Sequence, residues 1–160
     1  MNQLKKTDTQ NSFVESYLLY LLAAVSDKAS AEFHARVRAK GLRAIEWRVL
    51  AILIDRDGAM ITRLAEYALV EQSRLTRIIA QMDNQGLVRR RSDADDGRRV
   101  RVYLTVRGRE IGLALIEDAR RHERELFALL EKSDTDHVKK SLKKLLSELD
   151  ERSVVQSKHN

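Results

Sequence analysis

The sequence predicts a mainly α-helical protein in which three compact helices and an arginine-rich β-hairpin are flanked by long helices at both ends. Three observations carry that expectation. Proline is absent and glycine occurs only 6 times in 160 residues, so few positions break a helix. Apolar residues recur at i, i+3, i+4 and i+7 through most of the chain. Between residues 87 and 104 that period gives way to two short strand-like runs around an Asp-Gly pair, the second of them strictly alternating, the pattern of a hairpin.

Residues 1–11 are polar and aperiodic and read as a flexible tail. Ser12 and Glu15 have capping-box spacing, so a helix should begin there. Phe13, Tyr17, Leu18, Leu21, Leu22 and Val25 carry its apolar face, which continues through Phe33 and Val37 to a C-terminal cap at Gly41. At about thirty residues it is long for a compact monomer. A second helix spans about Arg43 to Asp55 and ends at Asp57-Gly58, a third Thr62 to Ala68, and a fourth Glu71 to Gln85, closed by Gly86. Strands follow at Leu87–Arg91 and Arg99–Leu104. Thr105 can cap a fifth helix over 106–131, and Ser133 with Asp136 a sixth that ends near Arg152. The expected organisation is one domain over 12–152, with tails at 1–11 and 153–160. Within it a compact unit of three helices and the hairpin at about 43–105 lies between helices at about 12–40 and 106–152. Those end helices carry more apolar residues than the middle unit can cover, Leu142, Leu145, Leu146 and Leu149 among them, which predicts a homodimer.

Composition removes several functions. The chain has no cysteine, which excludes disulfides, thiolate metal sites and thiol redox sensing. The four histidines show no metal-ligand spacing, and no nucleophile–base pair or phosphate-cradling glycine loop is present, so no enzyme, metal site or cofactor is expected. The longest apolar run, Tyr17 to Val25, is too short to span a membrane and the N-terminus lacks a signal-peptide core, so a cytoplasmic protein is expected. A net charge of +6 favours a polyanionic partner.

The fourth helix, EQSRLTRIIAQMDNQG, places Leu75, Ile78, Ile79 and Met82 on one stripe and Ser73, Arg74, Thr76, Arg77, Ala80 and Asn84 opposite. Guanidinium groups and short hydroxyls near a helix N-terminus suit base edges and phosphates in a major groove. Alone, such a face also fits any solvated amphipathic helix. The short preceding helix, with Ile61, Leu64, Ala65 and Ala68 on one side and a tight connection at Leu69-Val70, completes a helix-turn-helix. The hairpin holds six arginines (89, 90, 91, 98, 99, 101) against three aspartates (93, 95, 96), a charge excess that should repel itself unless a polyanion faces it. Asp96 is placed to orient Arg98 at the tip, toward a narrow minor groove. The architecture is thus a winged helix-turn-helix.

The block LAEYALVEQSRLTRIIAQMDNQGLVRRRSDADDGRRVRVYLT resembles the MarR family of multiple-antibiotic-resistance-type regulators, and the similarity extends over about residues 33–148. The resemblance implies a winged-helix homodimer with interlocking terminal helices that binds a palindromic operator in double-stranded DNA, as a ligand-responsive repressor. By the same resemblance Ser73, Thr76 and Arg77 face DNA from the recognition helix, and Asp96 and Arg98 form the wing-tip pair, with Arg99 beside them. Arg74 stands where many members have threonine. Leu69 stands where a glycine is common, and leucine is strained at positive φ, so a different turn conformation is expected there.

The resemblance also implies a small aromatic or anionic effector, bound where the first, second and fifth helices meet the DNA-binding unit. Tyr20, His34, Arg38, Trp47 and His122 are the candidates. His34 and Arg38 lie four apart and can hold an anion together, while Trp47 offers an aromatic wall. Core packing of Trp47 and a surface His34–Arg38 pair fit the same residues. The alternative to a DNA-binding regulator is a winged-helix interaction module that docks on an acidic protein.

Overall fold

A computed structural model of the chain describes residues 13–93, 96 and 99–157. The elements are α1 (Phe13–Ser16), α2 (Leu18–Ala39), α3 (Ala44–Asp55), β1 (Ala59–Met60), α4 (Ile61–Ala68), α5 (Gln72–Asn84), β2 (Val88–Ser92), β3 (Val100–Leu104), α6 (Val106–Phe127) and α7 (Lys132–Ser157). The expected tail at 1–11, residues 158–160 of the one expected at 153–160, the Ser12 cap, and Ala94, Asp95, Gly97 and Arg98 of the hairpin turn lie outside the described residues. The chain divides into two compact units, one up to Ile116 and one from Glu117. No helix among the described residues is long and apolar enough to cross a membrane.

The expected first helix is divided. Tyr17 takes an extended conformation (φ −74°, ψ 120°) and its carbonyl opens α2 by accepting from the Leu21 N–H at 3.1 Å. The Tyr17 ring stacks on Phe13 with centroids 5.2 Å apart. Tyr17 keeps the apolar period, so the pattern does not mark this break. Leu18, Leu19, Leu21 and Val25 of α2 are exposed, whereas Phe33 and Val37 further along are buried.

The core of the first unit is the packing of α3, α4 and α5 against the sheet. Val49, Leu50, Leu53, Ile61, Leu64, Ala65, Ala68, Leu75, Ile78, Ile79 and Met82 are all buried, together with Leu87, Val88 and Val102. At about 1.5–3 kcal/mol for each large apolar side chain buried, this shared core is what holds the helix-turn-helix in one geometry. Polar ties add direction. The Glu46 carboxylate, 2% exposed, accepts the Arg43 backbone N–H at 2.7 Å and the Arg43 guanidinium at 2.6 Å. Arg43 also donates to Gln81 Oε1 at 2.6 Å, tying the start of α3 to α5. Arg48 donates to the Ala68 carbonyl at 2.7 Å and satisfies an acceptor that α4 leaves open at its end.

The sheet is antiparallel with strand order β1-β3-β2. β1, two residues long, pairs Ala59 with Val102 and was not expected from the sequence, because two residues cannot display an alternation. Val88↔Leu104, Arg90↔Val102 and Ser92↔Val100 share the face on which Val88 and Val102 are buried, and Arg89↔Tyr103 and Arg91↔Arg101 share the other.

The connection between α4 and α5 corrects an expectation. Leu69 does adopt the left-handed conformation (φ 55°, ψ 46°), and Val70 N–H reaches back to the Ala65 carbonyl at 3.1 Å. This is the Schellman closure that glycine normally provides. The leucine side chain is 82% exposed, so it clashes with nothing and only the local backbone strain opposes it.

One junction joins α5, the hairpin and α6. Thr105 N–H donates to the Leu87 carbonyl at 3.2 Å, and Thr105 Oγ1 donates to the Gly86 carbonyl at 2.7 Å. The same hydroxyl oxygen accepts the Gly108 N–H at 2.9 Å, the expected cap of α6. Gly108 packs so tightly that a Cβ there would stand 1.9 Å from the Leu87 carbonyl oxygen.

α6 ends at Phe127 rather than 131, because Leu129 and Leu130 turn back to the Leu126 and Phe127 carbonyls at 3.1 Å each. The Glu131 carbonyl then opens α7 by accepting from Asp134 N–H, which places Ser133 inside the first turn instead of at the cap. α7 continues to Ser157, past the expected end at Arg152. In the second unit Lys139 pairs with Glu123 at 2.9 Å and lies over the Phe127 ring, and His122 is buried.

Two substitutions test this packing in urea denaturation. Gly108→Ala should cost about 3 kcal/mol, since backbone must move to admit the methyl group. Leu69→Gly should gain about 0.5–1 kcal/mol, the left-handed strain relieved less the extra entropy of an unfolded glycine. Equal stability of both variants and the wild type would contradict the two backbone assignments.

Candidate nucleic-acid interface

α5 presents its N-terminal half to solvent. Ser73, Arg74, Thr76 and Arg77 are exposed on the face opposite buried Leu75, Ile78, Ile79 and Met82, while Ala80 is half-buried. Glu71 caps the helix: its carboxylate accepts the backbone N–H of Ser73 at 3.0 Å and of Arg74 at 3.3 Å, and also the Ser73 hydroxyl. The hydroxyl bond from Ser73, with its backbone N–H next, holds the Glu71 carboxyl below the usual carboxylate range; nearby Arg77 acts in the same direction. Thr76 Oγ1 donates to the Gln72 carbonyl at 2.9 Å. Both hydroxyl protons are thus turned into the helix, and the outward-facing oxygens accept. The donors ready on this face are the guanidinium groups of Arg74 and Arg77.

Four of the hairpin arginines have partners within the hairpin or on α5, which relieves the repulsion expected from the sequence. Arg90 pairs with Asp83 of α5 at 2.9 Å, Arg99 with Asp96 at 3.3 Å, and Arg101 with Asp93. Arg91 lies over the Tyr103 ring at 5.3 Å. Asp93 is the organiser: its side chain is only 4% exposed, its N–H donates to the Arg99 carbonyl at 2.8 Å, and its Oδ1 accepts the Asp96 N–H at 3.3 Å. The cross-strand pair Arg91↔Arg101, two like charges directly opposed, is tolerated because each has its own partner. Asp96 therefore faces Arg99, and Arg98 lies outside the described residues.

Between α5 and the hairpin runs a cleft of about 490 Å³ lined by Met60, Thr62, Gln72, Thr76 and Arg99 among others. A second, of about 750 Å³, lies along the other side of α5 between Arg43, Glu71, Arg74 and Gln81. Ser73, Arg74, Thr76 and Arg77 are thus brought together on one helix, with Arg99 across the first cleft from Thr76.

Comparison with known proteins reaches the same architecture. The sequence profile of the MarR family matches residues 40–99. A crystal structure of a MarR family transcriptional regulator from Silicibacter pomeroyi DSS-3 is 52% identical, covers 87% of this chain and 99% of its own, and superposes with a TM-score of 0.79. The chain belongs to the MarR family of transcriptional regulators. The transcriptional repressor IacR of Pseudomonas putida is 31% identical over 113 residues, 71% of this chain, and the match spans 65% of that repressor's length. At 20% identity the fold is shared with the S. aureus MepR–DNA complex, with a TM-score of 0.73 over 88% of this chain.

In this MarR protein the residues considered for an effector lie in α2, α3 and α6. Trp47 is half-buried and meets Phe33 edge-on, with ring centroids 5.2 Å apart. His34 is half-buried, Arg38 and Tyr20 are exposed, and none of these four lines either cleft beside α5. His122 belongs to the second unit.

Sequence reasoning assigned no positioning role to Arg43, Gln81, Asp83 or Asp93, whose pairings hold α5 and the hairpin in place. Their partners lie from 3 to 38 residues away, and composition carries no trace of the pairings.

Two measurements check these contacts. In a pH titration followed by NMR, the Ser73 and Arg74 amide signals should shift together as Glu71 protonates, at a pH below that of an ordinary glutamate. Because the folded-state value is depressed, the cap's contribution is present at neutral pH and is lost as pH falls through that value. Independent shifts would remove Glu71 as the cap. Asp93→Asn should destabilise the fold by about 2 kcal/mol, since a mostly buried charged hydrogen bond is lost; an unchanged denaturation midpoint would contradict that role.

Proposed function

We propose that this protein is a sequence-selective regulator of transcription that binds double-stranded DNA as a homodimer on a palindromic operator, and that it acts as a repressor released by a small effector. The observation that carries the reading is the exposed Ser73, Arg74, Thr76 and Arg77 face on the N-terminal half of a helix whose other face is fixed in the core. Such a helix fits a major groove, where an arginine reads guanine O6 and N7 or clamps a phosphate. The hairpin, with Asp96, Arg98 and Arg99 at its tip, is taken to enter the adjacent minor groove.

The dimer is supported by apolar side chains that the single chain leaves in water. Leu18, Leu19 and Val25 in α2 are more than half exposed, and Val138, Leu142, Leu145, Leu146 and Leu149 in α7 are exposed as well. A second copy of the chain offers matching faces, and its twofold axis would repeat the recognition helix about 34–36 Å away along one side of the duplex. For the effector we retain Tyr20, His34, Arg38 and Trp47, which suit a small aromatic carboxylate: a ring against the indole and a carboxylate between the imidazole and the guanidinium.

The test is a fluorescence anisotropy titration with a duplex that the wild type enriches from a random pool. The expected outcome is a preference of roughly 10³ or more over scrambled duplex, with the protein sedimenting as a dimer. Arg77→Ala should weaken the selected site by about 1–3 kcal/mol and relax the preference at one base position. Equal affinity for every duplex, with tight capture of an acidic protein instead, would replace this reading by that of a protein-docking module.

A further inference from the structure

A third cleft, of about 700 Å³, opens on the far side of β1 from the recognition helix. Met60 and Arg99 line both this cleft and the one against α5, so β1 and the start of β3 form the ridge between them. Arg56, Arg63, Arg99 and Arg101 line it, with the ring of Tyr67. The carboxylate in its lining, Asp57, already has partners: Oδ1 accepts the Leu104 N–H at 2.8 Å and Oδ2 accepts Arg109 at 2.7 Å.

The arginines here are arranged in advance. Arg56 follows the last residue of α3 and its guanidinium lies over the Tyr67 ring, 4.8 Å from the centroid. That partner orients the group and carries no neutralising charge. Arg101 is fixed by Asp93 and by the Gly58 carbonyl at 3.1 Å. Arg63 pairs with Glu66 at 2.8 Å, but the two side chains are 68% and 60% exposed, so water screens the pair and little opposes exchange of the carboxylate for another anion. Arg99 is 60% exposed above Asp96. Among the described residues Arg63, Arg99, Arg101 and Arg109 each meet one of the carboxylates of Glu66, Asp96, Asp93 and Asp57, while Arg56 meets the Tyr67 ring.

Resting on the DNA-binding reading above, we propose that this cleft is a second phosphate track, in which Arg56, Arg63 and Arg99 hold the backbone of the DNA strand that borders the wing on the side away from the recognition helix. A wing seated in a minor groove has a phosphate strand on each flank. The strand on the inner flank passes the cleft beside Gln72 and Thr76, and the strand on the outer flank meets the ridge's other side, where the arginines stand. The contact is to phosphate oxygens, whose spacing is the same in every sequence. It therefore adds affinity and fixes the wing's depth without reading a base. It also lengthens the footprint outward from each half-site.

The experiment uses full-length Arg56→Gln, Arg63→Gln and the double variant, with Arg56→Lys as a charge-preserving control, each verified for unchanged thermal melting. Affinities for a duplex enriched from a random pool by the wild type, and for scrambled duplex, are measured by anisotropy from 50 to 300 mM salt. Each lost contact should reduce the slope of log K against log salt by about 0.9 per protomer. Both duplexes should be weakened equally, so that selectivity is retained, and Arg56→Lys should keep the wild-type slope. Ethylation interference should place the lost contacts on the outermost phosphates of each half-site. Wild-type slopes in the double variant, with wild-type selectivity intact, would overturn the track while leaving the DNA-binding reading in place. Failure of the wild type to prefer any duplex would remove that reading, and the track with it.

Discussion

The structure depends most on the contact between the first turn of α6 and the Leu87 carbonyl. Gly108 lies against that oxygen with no room for a methyl group, and Thr105 closes the same point: its N–H donates to the Leu87 carbonyl, its hydroxyl donates to the Gly86 carbonyl, and its hydroxyl oxygen accepts the Gly108 N–H. Gly86 ends α5, Leu87 leads into β2, Thr105 follows β3 and Gly108 lies in α6. The reading helix and both strands of the wing are therefore fixed to one another at their shared base. Under the proposed mode of DNA binding, helix and wing would engage neighbouring grooves together, and binding energy would not be spent on ordering one relative to the other.

Electrostatics is organised on the same principle. A ribbon with so many arginines is stable in isolation because Asp83, Asp93 and Asp96 answer Arg90, Arg101 and Arg99, and Tyr103 answers Arg91. Buried Asp93, paired with the partly exposed Arg101, joins the two sides of the turn through its N–H to the Arg99 carbonyl and its carboxylate to the Asp96 N–H. The exposed pairs are weaker, and a phosphate can displace the carboxylate from them at little cost. On α5 the division is similar. Glu71 fixes the helix start and draws the Ser73 hydroxyl inward, leaving Arg74 and Arg77 as the outward donors. Structural and interfacial charges are thus separated residue by residue, within a patch that composition alone describes only as basic.

The order of helices and hairpin was legible in the sequence because period and caps agree along most of the chain. Gly41 and Gly86 close helices where expected, and Thr105 caps α6. What the pattern missed has definite physical causes. Tyr17 interrupts a helix without leaving the apolar stripe, and β1 is too short to alternate. Leu69 holds a conformation that local preference disfavours, because the buried faces of α4 and α5 dictate the turn and outweigh a strain of about 1–2 kcal/mol. The outward face of α5 was readable from one helical turn of residues. The residues that aim it, Arg43 with Gln81 and Arg90 with Asp83, were not, since those pairs form only when distant segments meet.

Native-state hydrogen exchange of the backbone amides of Leu87, Thr105 and Gly108, compared with those within α5, tests this account at its root. If the junction welds the reading helix to the wing, these amides exchange only through global unfolding, with the same free energy and denaturant slope as the α5 core amides. Exchange of Thr105 and Gly108 through a local opening, while Ile79 and Met82 stay protected, would show that the wing moves independently of the helix and would contradict the account.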